Sequence, residues 1–391
     1  FNTSRMHIFA KRLRMKVPFA YGRIVGADDF TDRKNETAKL LANIASLTNT
    51  AIISPRRWGK SSLVSRAVEA ASRENDDYLF VRMNVFKCED EQEFYTAFAK
   101  NIISQISSSL ENLLSNAREF ISSLLPKISL SDPAGHYEIS FGVDVRTNPI
   151  DEAILDLPQT IASKKKKKVV VCIDEFQQIG EFANSLRFQK ILRNHWQEQR
   201  DVAYILYGSK KHMMLSIFGD YNRPFYRFGD IMFLPKISTD DWCDYITGRF
   251  AATGKSISRE VAAYLAESVD NHSYYVQQLA QASWLRTSDI CTLDVVDSAL
   301  ESVMDYLNLQ FINTMDSLTD KQRNYLCAVA DGAEQFTSME TLAKYNLGSA
   351  GNIRILKTAL RKKDLIDIEG KRVFIQDPVF CLWLKTQFRK I

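Results

Sequence analysis

Cysteine is sparse in this sequence and none of it is paired. Six cysteines (Cys88, Cys172, Cys243, Cys291, Cys327, Cys381) are scattered over 391 residues with no CxxC pair. That argues against a zinc ribbon or a disulfide framework and fits reduced thiols in a cytoplasmic protein. No apolar run approaches the ~20 residues needed to span a bilayer, so no membrane partner is expected. The net charge of +4 is too small to imply nucleic acid by itself. Phe1 to Arg14 is basic and amphipathic but lacks the long apolar stretch of a secretory signal. The chain opens on Phe rather than Met, and residues 1–16 are set aside as a leader or added segment. The whole chain is 45% hydrophobic and 25% charged, an ordinary globular balance. Its length calls for two or three domains.

What the sequence does contain is organised around residues 50–62. An apolar β-branched run, Ala51-Ile52-Ile53, meets a turn-forming stretch, Ser54-Pro55-Arg56-Arg57-Trp58. Gly59-Lys60-Ser61 closes it, and a helical pattern follows from Ser62 to about Arg73. Strand, loop and helix with Gly-Lys-Ser at the junction is the layout of a phosphate-binding loop. Backbone N–H groups around Arg57 to Ser61 can turn inward around a polyphosphate, and the helix N-terminus adds its positive end. Lys60 would reach the β- and γ-phosphates of ATP, and the Ser61 hydroxyl would ligate Mg²⁺. Ser54 stands where the usual pattern has its first glycine, and serine tolerates positive φ poorly. Either the loop opens in an ordinary backbone region or the site is weakened.

The second strong signal is Val169-Val170-Val171-Cys172-Ile173 followed by Asp174-Glu175. A continuous apolar run suits a parallel strand buried on both faces. Ligands bind at the carboxyl ends of such strands. Asp174 would help to hold Mg²⁺, and Glu175 would polarise the attacking water. The strand predicted at 202–207 ends in Gly208-Ser209, where Ser209 could sense the γ-phosphate. With strands at 50–54, 78–85, 169–173 and 231–235, five strands alternate with helices. That predicts an α/β fold with a five-stranded parallel sheet and helices on both faces. Arg227 could be an arginine finger or an ordinary surface arginine. Thr31 or Asp32 could cap a helix from about Arg33 to Leu47.

Between the second and third strands the chain is long. Helical spacing from Phe94 to Ile106, an apolar helix over about 110–125, alternation from Ile139 to Val145 and a helix over 150–162 read as an insertion at about 90–163. Lys164 to Lys168 reads as a solvated loop, with a phosphate-backbone contact as the alternative. Residues 237–312 are mostly helical. His272, at the head of one of these helices, reads either as a reporter of nucleotide state or as a buried structural histidine. From residue 313 onward, three helices and a hairpin make a winged-helix layout. Its third helix carries Arg354, Lys357 and Arg361, which could contact DNA.

Together these marks resemble the archaeal-type ATPase family of the AAA+/STAND group of P-loop NTPases. They are Phe30-Thr31-Asp32-Arg33 with Glu36, the Ser54-to-Ser61 loop, Ile173-Asp174-Glu175, Tyr207-Gly208-Ser209, Pro224-to-Arg227, Asn271-to-Tyr274 and Asp377-to-Phe380. The family's own Ser-Pro-Arg-Arg loop matches that of this chain. Relatives usually carry Gly-x-Pro where this chain has Asn271-His272-Ser273. The resemblance implies a P-loop ATPase core (17–236), a helical lid (237–312) and a winged-helix domain (313–391). It implies ATP or ADP with Mg²⁺ held between core and lid, touched by residues 54–62, Ser209 and His272. Slow hydrolysis would use Lys60, Asp174, Glu175 and Arg227. The output would pass through the winged helix, a protein partner or self-association. The alternative is a DNA-binding ATPase like the origin-recognition or transposition-helper proteins.

Overall fold

The computed structural model describes residues 17–23, 31–108, 128–131, 138–141 and 153–388. The helix expected at 110–125, the leader segment, Phe30, Val143 and Val145 lie outside them. The chain divides into two compact units, residues 33–235 and a second unit formed by residues up to 32 together with Lys236 onward.

The first unit runs α1 (Lys34–Ala45), β1 (Thr50–Ile53), α2 (Lys60–Glu74), β2 (Tyr78–Asn84) and α3 (Glu91–Ser108). Next come a two-stranded antiparallel pair, β3 (Ile128–Ser131) and β4 (Glu138–Phe141), and then α4 (Leu157–Lys165) and β5 (Lys168–Asp174). A 3-10 turn (Phe176–Glu181), α5 (Ser185–Glu198), β6 (Val202–Gly208), α6 (Lys211–Phe218) and β7 (Asp230–Phe233) complete it. The five strands pair in parallel in the order β2-β5-β6-β1-β7. Burial follows position. Central β6 is buried at every residue, whereas edge strand β2 alternates at its end between buried Val81 and Met83 and exposed Arg82 and Asn84. This is why the central strands read as unbroken apolar runs.

The register aligns the carboxyl ends. Ile53 pairs with Gly208 and Asn84 with Asp174. The loop after β1 and the acids after β5 therefore leave the same edge of the sheet, and β6 with its Ser209 lies between them. Aromatic side chains fill the layer beside the sheet: Phe94 lies 5.1 Å from Phe188, and Trp196 stacks on Tyr204 at 4.1 Å. Such rings supply much of the area that a domain of this size must bury.

Several boundaries differ from the sequence reading. No side chain caps α1: Asp32 (φ 48°) and Arg33 (φ 64°) are both left-handed, and Arg33 occupies the cap position. The helix expected over 150–162 is helical at 153–155, turns at Asp156 and continues as α4 to Lys165, with Pro158 in the first turn of α4; residues 150–152 lie outside the described residues. The lysine run is not a loop. It finishes α4, turns at left-handed Lys166 and enters β5, with Lys167 Nζ donating to Asp76 O at 2.8 Å.

The second unit contains α7 (Thr239–Ala251), β8 (Ser256–Ile257), α8 (Arg259–Ser268), α9 (Ser273–Arg286), β9 (Ile290–Cys291) and α10 (Leu293–Asp316). It ends with α11 (Asp320–Ala330), α12 (Met339–Lys344), α13 (Ala350–Lys362), the hairpin β10 (Ile366–Glu369) and β11 (Arg372–Ile375), and α14 (Pro378–Thr386). Capping explains the starts. Thr319 and Gln322 form a reciprocal capping box for α11, and Asp377 accepts from Val379 N and Phe380 N at the head of α14. One continuous core links these elements, with Phe311 of α10 against Trp383 of α14 at 5.6 Å. The position expected to separate lid from winged helix, 312–313, falls inside α10. Phe19 packs against Phe250 at 5.8 Å, so the segment around it belongs to this unit.

Candidate nucleotide site

The loop after β1 answers the question posed by Ser54. Its backbone is not left-handed; the positive φ angles fall on Arg57 (63°) and Gly59 (91°). Ser54 is buried and its hydroxyl donates to Pro55 O at 3.2 Å. A serine therefore fits the opening position without strain, and the turn is made further along. α2 begins at Lys60 with Gly59 as its cap, two residues earlier than expected. Ser61 and Ser62 thus lie in the first turn of α2, at its positive end. Arg56, Arg57 and Gly59 are exposed and Trp58 is half-buried.

Lys60 is buried, and its Nζ donates to Pro55 O at 3.1 Å and Ser54 O at 3.4 Å. Burial pushes its pKa down from 10.5 to about 8, against the attraction of Glu175 and Asp174. Ser61 Oγ donates to Asp174 Oδ2 at 3.0 Å, which brings the loop and the acid pair into direct contact. Burial, and after it the neighbouring Glu175, raises the Asp174 pKa. Glu175 takes a left-handed backbone (φ 54°), and its N–H donates to Asp174 Oδ1 at 2.8 Å. Ser209 Oγ donates to Glu175 Oε2 at 2.9 Å. Residues from the ends of β1, β5 and β6, the first 113 positions from the second and the second 34 from the third, thus meet in one polar cluster.

A hydroxyl and a carboxylate suit a hard cation that keeps several waters and takes further oxygens from a phosphate. Among the described residues no group of three or more His, Cys, Asp or Glu gathers to hold a metal alone. The donor set therefore fits Mg²⁺ arriving with a nucleotide.

Arg227 is not drawn into this cluster. It is exposed with a left-handed backbone (φ 55°), and its guanidinium lies 5.3 Å from the Tyr226 ring centre. His272 belongs to the second unit, where it heads α9, buried, with its ring 5.0 Å from that of Tyr275. On α13, Arg354 is exposed, whereas Lys357 lies over Phe336 at 5.4 Å and Arg361 is half-buried.

Arg33 is the residue whose importance sequence reasoning missed, although it stands in a quoted motif. Its guanidinium is buried, donates to Pro235 O at 2.7 Å and Trp58 O at 3.3 Å, and pairs with Glu36 Oε1 at 3.2 Å. It ties the loop after β1 to the last residue of this unit. Replacement by Met should destabilise the unit by about 3 kcal/mol, and Lys should restore only part, having no planar fork. Thermal unfolding of both variants measures this; an unchanged midpoint for Arg33→Met would contradict the role.

Comparison with known proteins agrees with this geometry. Residues 35–212 match the model of a family described as predicted AAA-ATPase, and residues 309–386 match a probable winged helix domain. The chain has an AAA-ATPase-like core and a winged helix. The AAA-ATPase-like match spans the loop and the acid pair together, so the resemblance drawn from the motifs holds at this level. Among solved structures, the Walker-type ATPase Paby2304 of Pyrococcus abyssi is similar at TM-score 0.65 and 14% identity, covering 94% of this chain and 99% of its own. The Aeropyrum pernix ORC2 protein, solved as ADPNP–ADP complexes, is similar at TM-score 0.56 and 13% identity, covering 94% of this chain and 96% of its own. At such identities the likeness concerns the fold. No curated protein matches in sequence. Among the described residues of this AAA-ATPase-like chain, no helix is long and apolar enough to cross a membrane.

Proposed function

We propose that this protein binds ATP with Mg²⁺ and hydrolyses it slowly, as a molecular switch of the AAA+/STAND kind. The observation that carries the reading is the Ser61–Asp174 hydrogen bond beside buried Lys60. Buried Lys60 beside half-buried Ser61 and Asp174 has little reason to converge with them unless a charged ligand compensates these groups. The ADPNP–ADP complexes of the similarly folded A. pernix ORC2 protein support the same reading.

Lys60 would leave the Ser54 and Pro55 carbonyls for the β- and γ-phosphates, helped by the positive end of α2. Ser61 and Asp174 would hold Mg²⁺, which when bound neutralises phosphate charge. Glu175 would accept a proton from the attacking water, while Ser209 keeps its carboxylate oriented. Arg227 and His272 remain candidates for sensing the nucleotide. The output would pass through the winged helix, a protein partner or self-association. Purified protein should carry copurified adenine nucleotide or take it up, and should release phosphate slowly from ATP. Failure to bind any adenine nucleotide would end this reading.

A second reading, DNA binding, is favoured by one observation. The winged-helix match includes α13, where Arg354 and Lys362 are exposed, as is Lys363 just after it. Reversing these three charges should abolish retention on duplex DNA at low salt. No retention by the unsubstituted protein under those conditions excludes it.

A further inference from the structure

Two residues beyond the acid pair, on the 3-10 turn, the Gln177 side chain is only 2% exposed. Its Nε2 donates to Glu175 Oε2, the same oxygen that accepts from Ser209 Oγ at 2.9 Å. Among the described residues no hydrogen bond occupies the other oxygen, Glu175 Oε1. Gln177 Oε1 is buried and has no hydrogen-bond partner among them either. Turning the amide over would aim that oxygen at the carboxylate, so charge fixes which end donates.

The surroundings are built to admit this amide. At Gly208, the last residue of β6, a Cβ would stand 1.9 Å from Gln177 Oε1 and 2.9 Å from Met214 Sδ. The φ of Gly208 is not positive, so backbone freedom does not explain the glycine; the space taken by Gln177 does. A buried glutamine with an unmatched acceptor weakens the core, and what the arrangement gains is a second donor on the Glu175 carboxylate.

We infer that Gln177 is the positioning residue for Glu175. Together with Ser209 it saturates Oε2, fixes the carboxylate plane and leaves Oε1 to meet the attacking water. In the step it supports, the water oxygen bonds to the γ-phosphorus as the bond to the β,γ-bridging oxygen breaks. The water proton passes to Glu175 Oε1, and the electron pair of the broken bond leaves with ADP. The inference rests on the ATPase reading and adds to it a residue that touches neither nucleotide nor water.

The test is Gln177→Met, which keeps the bulk and removes the donor. Turnover should fall by about tenfold or more, with affinity for a fluorescent ATP analogue unchanged to within about twofold. In a Glu175→Gln background the same change should alter the residual single-turnover rate by less than about twofold, because the effect acts through Glu175. Gly208→Ala, which evicts the amide, should reproduce the loss of turnover. Three results would overturn the inference: turnover of Gln177→Met at the unsubstituted rate, a matching loss of analogue binding, or a full further loss in the Glu175→Gln background. A protein that binds no adenine nucleotide defeats the ATPase reading itself. One that binds and hydrolyses ATP, with Gln177→Met just as fast, defeats only the role of Gln177.

Discussion

Replacing Lys60 with methionine is expected to stabilise the nucleotide-free protein while removing its affinity for ATP. Both effects have one origin. Lys60 sits in the interior with two backbone carbonyls as its hydrogen-bond partners, and burial lowers its pKa from 10.5 to about 8 despite the nearby acids. The unfolded chain therefore holds this proton more tightly than the folded one. Below about pH 8 the folded state bears the full cost of the buried charge. As pH climbs from about 8 towards 10.5 the cost fades, so stability rises with pH across that window. The cost is on the order of 3 kcal/mol, reduced in the variant by the two lost hydrogen bonds. The same ammonium is the charge that would meet the phosphates. Its removal should weaken ATP binding by about a hundredfold or more. Thermal unfolding with and without ATP and Mg²⁺ reads both effects. Methionine should raise the midpoint of the free protein at pH 7 and abolish the shift caused by nucleotide. A destabilised variant that still responds to ATP would refute both halves.

Glu175→Gln should separate binding from chemistry. The glutamine is isosteric, and its carbonyl oxygen can still accept from Ser209 and Gln177, but it cannot take a proton from water. Loss of a general base typically removes a factor of about 10²–10⁴ in rate. ATP affinity should stay near that of the unsubstituted protein, because Lys60, Ser61 and Asp174 are untouched. The variant should accumulate bound ATP where the parent accumulates ADP. Chromatography of nucleotide extracted after incubation with ATP measures this directly. Equal ADP in both proteins would show that Glu175 is not the base.

The parts legible in the sequence were those whose function needs a local pattern. Gly59-Lys60-Ser61 and Asp174-Glu175 each follow a buried strand, and the apolar run before each announced it. The parallel sheet followed from the same runs. What stayed hidden depends on contacts distant in sequence. Nothing local marks Arg33 as a bridge between Trp58 O and Pro235 O, 202 positions away. The expected cap at Thr31 or Asp32 failed because two consecutive left-handed residues redirect the chain there. Gln177 was visible as a residue, but its purpose depends on the missing side chain at Gly208. The two-residue strands β8 and β9 are too short to carry any periodicity.

The most direct measurement is a calorimetric titration of the unsubstituted protein with ATP, once with Mg²⁺ and once with excess EDTA. Expected is saturable binding of one ATP per chain, markedly tighter with Mg²⁺, since Ser61 and Asp174 would share the cation with the phosphates. Absent heat, or equal affinity with and without Mg²⁺, would contradict the idea that these two side chains converge to hold a metal-bound nucleotide.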